Sequence, residues 1–264
     1  MRFGIITDIH FTAGQDKETL CESVLGWQES GAAFAVQLGD LIAGDPLMAL
    51  DELKQAKSVL DRCRCTIRHV IGNHCLAVPE DELVRYLGME RAYYAFTEDD
   101  YRFIVLHGMD ISVFSRPRTA EDLELLEWAR SSPGLHDYCG AIGKVQKAWL
   151  KDSLEKAEKD EEKVIILSHF PLLPETTDLK HGLLWNHRDI SELILSSTAV
   201  KACFSGHFHH GAHTVANGIH FIVLPAFVDQ GSECRFTSGT VELAGTTMVV
   251  RDQQNKKLLE VSLE

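Results

Sequence analysis

The sequence of 264 residues has no long apolar run, although 45% of its residues are hydrophobic. No stretch approaches the ~20 consecutive apolar residues that span a bilayer, so we expect no membrane segment. The opening run, MRFGIITDIH, is too short for the core of a signal peptide, because Asp8 and His10 interrupt it. We therefore predict a cytoplasmic protein that does not engage a membrane.

A disulfide framework is also missing. Cysteine occurs seven times, which is an odd number, and the positions are scattered. Such usage is typical of a reducing compartment, where thiols stay free. Cys63 and Cys65 form a close pair, but no second close pair accompanies them, which disfavours a zinc site there.

Positive charge is scarce, with 26 basic against 39 acidic residues and a net charge of −13. Nucleic-acid polymers are bound largely through Lys and Arg at phosphates, so this balance excludes them as expected partners. A small phosphorylated substrate remains compatible with the charge if metal ions supply positive charge locally.

Apolar, β-rich runs recur along the chain and mostly alternate with segments of helical periodicity. The runs are RFGIIT, AFAVQLG, TIRHVIG, RFIVLHG, KVIILSH, VKACFSG and IHFIVLP. This alternation predicts an α/β fold, which we assign to a single domain over residues 1–264. After residue 210 short strands joined by NG and AG turns predict a second, largely antiparallel sheet in the same domain.

Residues 108–143 interrupt the alternation. They combine a helical stretch, TAEDLELLEWARS, with the loop signals SPG and CGAIG. We predict that this segment is a cap-like insertion near the mouth of a site.

Five of the apolar runs end in residues that can bind metal ions. These residues are Asp8 and His10, Asp40, Asn73 and His74, His169, and His207 and His209. In open α/β sheets the carboxyl ends of neighbouring strands line one crevice, so we expect these side chains to converge. Isolated histidines are more often structural, and that role is expected for His69, His107, His136, His181 and His220.

The converging set suits two divalent ions about 3.5–4 Å apart, which need a shared carboxylate, imidazoles and hard oxygen donors. Asp40 is the natural bridging ligand. The remaining ligands are assigned as Asp8, His10 and His209 for one ion, and Asn73, His169 and His207 for the other. These donors suit Mn²⁺, and also Fe, Zn or Ni.

The stretch VIGNHCLAVP places an amide, an imidazole and a thiol side by side. The amide oxygen of Asn73 is a neutral ligand, which leaves its ion more Lewis acidic than a carboxylate would. His74 is one residue further and faces another way. We therefore predict that His74 is catalytic and donates a hydrogen bond to the phosphoryl group or a proton to the leaving oxygen.

The five blocks together resemble the signature of the calcineurin-like metallophosphoesterases. The matching blocks are Asp8-x-His10, Gly39-Asp40, Gly72-Asn73-His74, His169 and Gly206-His207-x-His209. The resemblance covers the chain from about Phe3 to beyond Val223. It implies a four-layer α-β-β-α sandwich with two mixed sheets, the same metal roles, and a metal-bridging hydroxide as the nucleophile.

Within that superfamily, the segments VQLGDLI, AYYAF, GAIGKVQKAWL, LLWNH and NGIHFIVLPAFVD look most like the manganese-dependent ADP-ribose/CDP-alcohol diphosphatase branch. The branch often has Gln in place of His10, an acidic residue in place of Cys75, and Asp in place of His107 and Phe208. A thiol at Cys75 cannot orient His74 as a carboxylate would.

The leading hypothesis is therefore a two-metal hydrolase of phosphodiester or pyrophosphate bonds in small nucleotide-type substrates. A cyclic-nucleotide or glycerophosphodiester phosphodiesterase is the alternative, because the same ligand set would serve it. A scaffold without catalysis is a third hypothesis, but it should have lost ligands, and all seven positions are filled here. The sequence carries no prediction of an oligomeric state.

Overall fold

The computed structural model describes residues 1–14, 17–178, 180–229 and 238–264. The strands of this part of the chain are β1 (Arg2–Ile6), β2 (Phe34–Gln37), β3 (Thr66–His69), β4 (Tyr94–Glu98), β5 (Tyr101–Val105), β6 (Lys163–Leu167), β7 (Val200–Ser205), β8 (Ala212–Ala216), β9 (Ile219–Val223), β10 (Gly239–Ala244), β11 (Thr247–Asp252) and β12 (Lys257–Ser262). Its α-helices are α1 (Glu18–Glu29), α2 (Ala49–Leu60), α3 (Glu80–Tyr86), α4 (Ala120–Ser131), α5 (Lys144–Lys159) and α6 (His187–Leu195).

The strands form two mixed sheets. In the first sheet the order is β12-β11-β10-β1-β2-β3, and β1, β2 and β3 run parallel. In the second sheet the order is β4-β5-β6-β7-β9-β8, and β5, β6, β7 and β9 run parallel. In the second sheet the parallel strands therefore occupy the middle and antiparallel strands form both edges, whereas in the first sheet the parallel strands form one end, with β3 at the edge.

The alternation of side chains along β1 shows how the layers are built. Phe3 and Ile5 pack between the two sheets against residues such as Phe103 and Phe204. Ile6 points the other way, into the layer formed by helices α1, α2 and α3. Helices α4, α5 and α6 cover the outer face of the second sheet. The predicted four-layer α-β-β-α sandwich is confirmed.

The described strands after residue 210 do not form a sheet of their own, so that prediction was wrong. Strands β8 and β9 extend the second sheet, because β9 pairs in parallel with β7. Strands β10, β11 and β12 extend the first sheet, because β10 pairs antiparallel with β1. Local alternation predicts the strands but not their partners, because pairing depends on contacts distant in sequence.

Residues 108–143 leave the second sheet after β5 and return just before α5. A bridge between Ile111 and Ala141 brings the two ends of the segment together. Between them lies α4, capped by Thr119, whose side chain accepts a hydrogen bond from the backbone N–H of Asp122. Leu126 of α4 packs into the core of the second sheet.

Among the described residues, no helix combines the length and the apolar character needed to cross a bilayer.

Candidate metal centre

The predicted ligands lie in loops at the carboxyl ends of parallel strands from both sheets. Asp8 and His10 follow β1, and Asp40 follows β2. Asn73 follows β3, His169 follows β6, and the pair His207 and His209 follows β7. The two sheets are packed so that these loops meet at one edge, as the strand-end argument predicted.

The backbone is unusual where these side chains leave it. Asp8, His10, Asp40 and His207 all have a left-handed backbone, with φ of 50°, 44°, 50° and 66°. Non-glycine residues adopt this conformation at a cost, and it persists where surrounding contacts enforce it. Here backbone hydrogen bonds do so, from Asp8 N to Gly39 O (3.1 Å) and from His10 N to Asp40 O (2.9 Å).

The first group of ligands surrounds one carboxylate oxygen of Asp8. The Nε2 atoms of His10 and His209 lie 3.7 Å and 3.6 Å from Asp8 Oδ1. Both Asp8 Oδ1 and His10 Nε2 are buried and have no hydrogen-bond partner. Buried polar atoms are normally paired, so an unpaired acceptor facing the unpaired nitrogen of His10 is the arrangement a cation would complete.

The second group surrounds Asp40. Its Oδ2 atom lies 3.2 Å from His169 Nε2, which in turn lies 3.2 Å from Asn73 Oδ1. Asp40, His169 and His207 offer ligand atoms that all lie within 4.8 Å of one another. Because Asp40 Oδ2 is also 3.8 Å from His10 Nε2, this carboxylate stands between the two groups.

Three of the four proposed imidazole ligands are oriented through the nitrogen that faces away from the centre. Nδ1 of His169 lies 2.9 Å from the carbonyl oxygen of Leu38, and Nε2 of His207 lies 2.8 Å from that of His181. Nδ1 of His209 lies 3.0 Å from a carboxylate oxygen of Asp229. When these nitrogens donate, the other nitrogen keeps its lone pair for a metal ion.

The glycines that precede the ligands allow close approach. A Cβ atom on Gly72 would lie 2.2 Å from Asp40 Oδ1, and one on Gly206 would lie 1.9 Å from Thr7 Oγ1 and 2.4 Å from Asp8 Oδ2. No side chain fits at either position without displacing a proposed ligand.

Comparison with known proteins agrees with this geometry. Residues 1–211 match the family described as Calcineurin-like phosphoesterase. The chain belongs to this family. It is similar to the manganese-dependent ADP-ribose/CDP-alcohol diphosphatases of Oryza sativa and Arabidopsis thaliana, each at 30% identity over 86% of this chain and 83% and 86% of theirs.

The fold is also similar to that of a solved dimetal phosphatase from Danio rerio, with a TM-score of 0.85 and 22% identity, over 100% of this chain and 99% of that one. The predictions of the family and of the enzyme class, a metal-dependent phosphohydrolase, are confirmed.

Charge within the centre of this phosphoesterase favours ionised carboxylates. Burial opposes ionisation of Asp40, but the neighbouring His169 outweighs burial and lowers the pKa of Asp40. Burial likewise opposes protonation of His169, but Asp40 raises the pKa of His169 to about 9. Burial and the nearby His169 lower the pKa of His207 to about 4, so His207 is neutral at pH 7. The carboxylates therefore carry negative charge into a buried site.

His74 lies beside this centre with an exposed side chain. Its Nδ1 lies 2.6 Å from the carbonyl oxygen of Ala43, and its ring meets that of His10 edge-on at 4.5 Å. One nitrogen of His74 is close enough to His10 and Asp40 for the three to hold an ion. A main-chain carbonyl therefore orients the His74 ring through Nδ1.

Cys75 is packed among apolar side chains of the first helix layer and is 1% exposed. Burial raises the pKa of its thiol to about 12. The thiol stays protonated at neutral pH and contributes as a small apolar group.

Three residues beside the centre were missed by sequence reasoning. Asp229 follows the strand β9, so the strand-end rule that found the ligands applied to it as well. His181, which was assigned a structural role, contacts His207 through its carbonyl oxygen and lies in a loop without a sequence signal. Tyr138 comes from the segment 108–143, and its ring centre is 6.0 Å from that of His207.

A cavity of about 760 Å³ lies between α4 and residues 182–189. Its lining includes Cys139, whose Sγ atom is 4.0 Å from His207 Nε2. Because that nitrogen faces away from the metal centre, the part of the cavity lined by Cys139 lies behind His207.

Proposed function

We propose that this phosphoesterase hydrolyses the pyrophosphate bond of small nucleotide-type substrates such as ADP-ribose and CDP-alcohols, using two Mn²⁺ ions. The observation that carries the proposal is the convergence of the predicted ligands around Asp40, with buried acceptor atoms left unpaired. The names of the similar diphosphatases support the choice of substrate and of Mn²⁺.

The two groups of side chains suggest which residues hold each ion. Asp8, His10 and His209 would hold one, and Asn73, His169 and His207 would hold the other, with Asp40 shared. The position of Asp40 Oδ2, 3.2 Å from His169 and 3.8 Å from His10, supports its role as the bridge. When bound, the pair of ions supplies Lewis acidity and a nucleophile at neutral pH.

The side chains around the ions would divide the remaining work. His74 presents its Nε2 to the substrate, because its Nδ1 is occupied by the carbonyl oxygen of Ala43. Because Nδ1 donates to that carbonyl, Nε2 carries a proton only in the imidazolium form, and in that form it would donate a hydrogen bond or a proton to the leaving oxygen. Asp229 keeps His209 in the orientation in which its other nitrogen faces Asp8.

We further propose that residues 1–264 act as a single domain in which residues 108–143 form a cap beside the site. The bridge between Ile111 and Ala141 gives the segment a closed base, and Tyr138 reaches toward His207 from it. A cytoplasmic location is part of the same proposal, supported by the free cysteines of the described residues.

A substrate panel tests the function. ADP-ribose, CDP-choline, cyclic nucleotides and glycerophosphodiesters are assayed with added Mn²⁺, and Asp40→Ala serves as the inactive control. We expect ADP-ribose or CDP-choline to be hydrolysed fastest. A preference for cyclic nucleotides or glycerophosphodiesters would instead select the alternative phosphodiesterase, and absence of activity on every substrate would favour a non-catalytic scaffold.

A further inference from the structure

Tyr138 carries an aromatic ring to the edge of the metal centre and leaves it partly in water. The residue is 40% exposed, although its ring centre is only 6.0 Å from that of His207. The ring is fixed at both ends. Its hydroxyl donates a hydrogen bond to the carbonyl oxygen of Lys180, and the ring of His136 stacks on it at 4.7 Å with an interplanar angle of 6°.

The turn that receives the Tyr138 hydroxyl holds a second fixed ring. Nδ1 and the backbone nitrogen of His181 lie 2.7 Å and 2.8 Å from one carboxylate oxygen of Asp178. The imidazole of His181 packs against the ring of Phe208 at 5.3 Å and lies 6.5 Å from the ring of His209. Tyr138 therefore contacts the turn that carries His181, and the two rings lie next to the proposed ligands His207 and His209, respectively.

These rings are organised before any ligand arrives. The stacking on His136 covers one face of Tyr138, and 40% of the residue remains exposed. An immobilised aromatic surface loses little conformational entropy when a planar group stacks on it. Aromatic side chains exposed beside a catalytic centre are thus suited to bind a substrate.

The local charge decides which part of a substrate fits. Asp178 and Asp229 carry carboxylates to this side of the centre, where they contact His181 and His209. These two carboxylates disfavour a second phosphate there, and Lys180 is the single basic residue between Asp178 and His181. A neutral, planar heterocycle would stack on the rings without that repulsion.

We propose that Tyr138 and His181 form a subsite that stacks the nucleobase of the substrate. This inference rests on the proposed function, because it assigns the base of a nucleotide-type substrate to this wall. Stacking is tolerant of base identity, since every base has an aromatic face. One subsite would therefore accept both adenine and cytosine derivatives.

The test compares phosphate-containing ligands with and without a base. Binding of AMP, ribose 5-phosphate and phosphocholine to the Mn²⁺-loaded protein is measured by calorimetry for the wild type and for Tyr138→Leu. We expect Tyr138→Leu to weaken the binding of AMP by roughly 10- to 100-fold, which is the range for loss of one base–aromatic stack. Binding of ribose 5-phosphate, which lacks the base, should stay unchanged.

Two further variants serve as controls. Tyr138→Phe keeps the ring and loses the hydroxyl, so it should bind AMP nearly as the wild type does. Leu123→Ala removes another apolar side chain of the same segment, which lies on α4 and is 47% exposed. This variant should bind all three ligands as the wild type does. Metal content is measured for every variant, because Tyr138 is close to a proposed ligand.

Three outcomes would overturn the proposal. If the binding of all three ligands were weakened equally, the substitution would have displaced His207. Selective weakening of phosphocholine would mean that the rings bind a quaternary ammonium group, and unchanged AMP binding would mean that Tyr138 does not contact the base. Because these assays measure binding, they remain decisive if ADP-ribose and CDP-choline are not hydrolysed, a result that would contradict the proposed function alone.

Discussion

Replacing His74 separates its proposed catalytic role from metal binding. In His74→Ala the proposed ligands remain, and the exposed position of the side chain means that no buried cavity is created. We expect both metal ions to be retained and kcat to fall by ~10²–10⁴ for a substrate with a poor leaving group, as for loss of a general acid or an electrostatic donor. Such a loss corresponds to about 3–5 kcal/mol in the activation free energy.

The leaving group provides an internal check on this magnitude. An aryl phosphodiester releases a stable phenolate and needs little protonation, so His74→Ala should lose far less activity on it. The assay compares kcat on ADP-ribose and on a 4-nitrophenyl phosphodiester, with metal content measured by elemental analysis. Loss of metal from His74→Ala, or full activity on the poor leaving group, would refute the assignment.

The hydrogen bond from His74 to Ala43 predicts a dependence on a more distant residue. Glu52 is 2% exposed, and its Oε2 atom accepts a hydrogen bond of 2.9 Å from the backbone nitrogen of Gly44, next to Ala43. In Glu52→Ala the loop loses this anchor, so kcat should fall in the same leaving-group-dependent way while metal content stays constant. Glu52→Gln keeps an acceptor oxygen and should behave nearly as the wild type.

Other predictions follow from the same geometry. Asp40→Ala should lose both ions and Asp8→Ala mainly one, which elemental analysis measures; unchanged stoichiometry in both would contradict the bridging role of Asp40. Gly206→Ala should weaken metal binding, because its Cβ would lie 2.4 Å from Asp8 Oδ2; normal affinity in a metal titration would show that the loop adapts. Burial lowers the pKa of His69 from 6.5 to about 4. As pH falls, His69 is therefore protonated in the unfolded chain before it is protonated in the folded protein. Protonation of the unfolded chain should lower the unfolding free energy by up to about 1.4 kcal/mol per pH unit between pH 6.5 and 4. Denaturation of His69→Leu across that window should show a flatter pH dependence than the wild type, and parallel curves would exclude the effect.

The sequence by itself determined which loops form the candidate site. Asp8, Asp40 and His169 each end an apolar run, and a buried parallel strand can place a polar residue only where it ends. That rule is local in sequence, and it was sufficient to bring together ligands as distant as His10 and His209. The alternation of strands and helices predicted the α/β class, and the resemblance to the calcineurin-like metallophosphoesterases implied the order of the four layers.

Tertiary structure alone decided how the ligands are held and what lies around them. The left-handed backbone at Asp8 depends on a hydrogen bond to Gly39 in a neighbouring loop, and the free nitrogen of His207 depends on the carbonyl oxygen of His181. The approach of Tyr138 and the division of the last strands between two sheets depend on contacts across the whole chain. No local pattern encodes such contacts, because they form only when the two sheets pack and bring distant loops to the same edge.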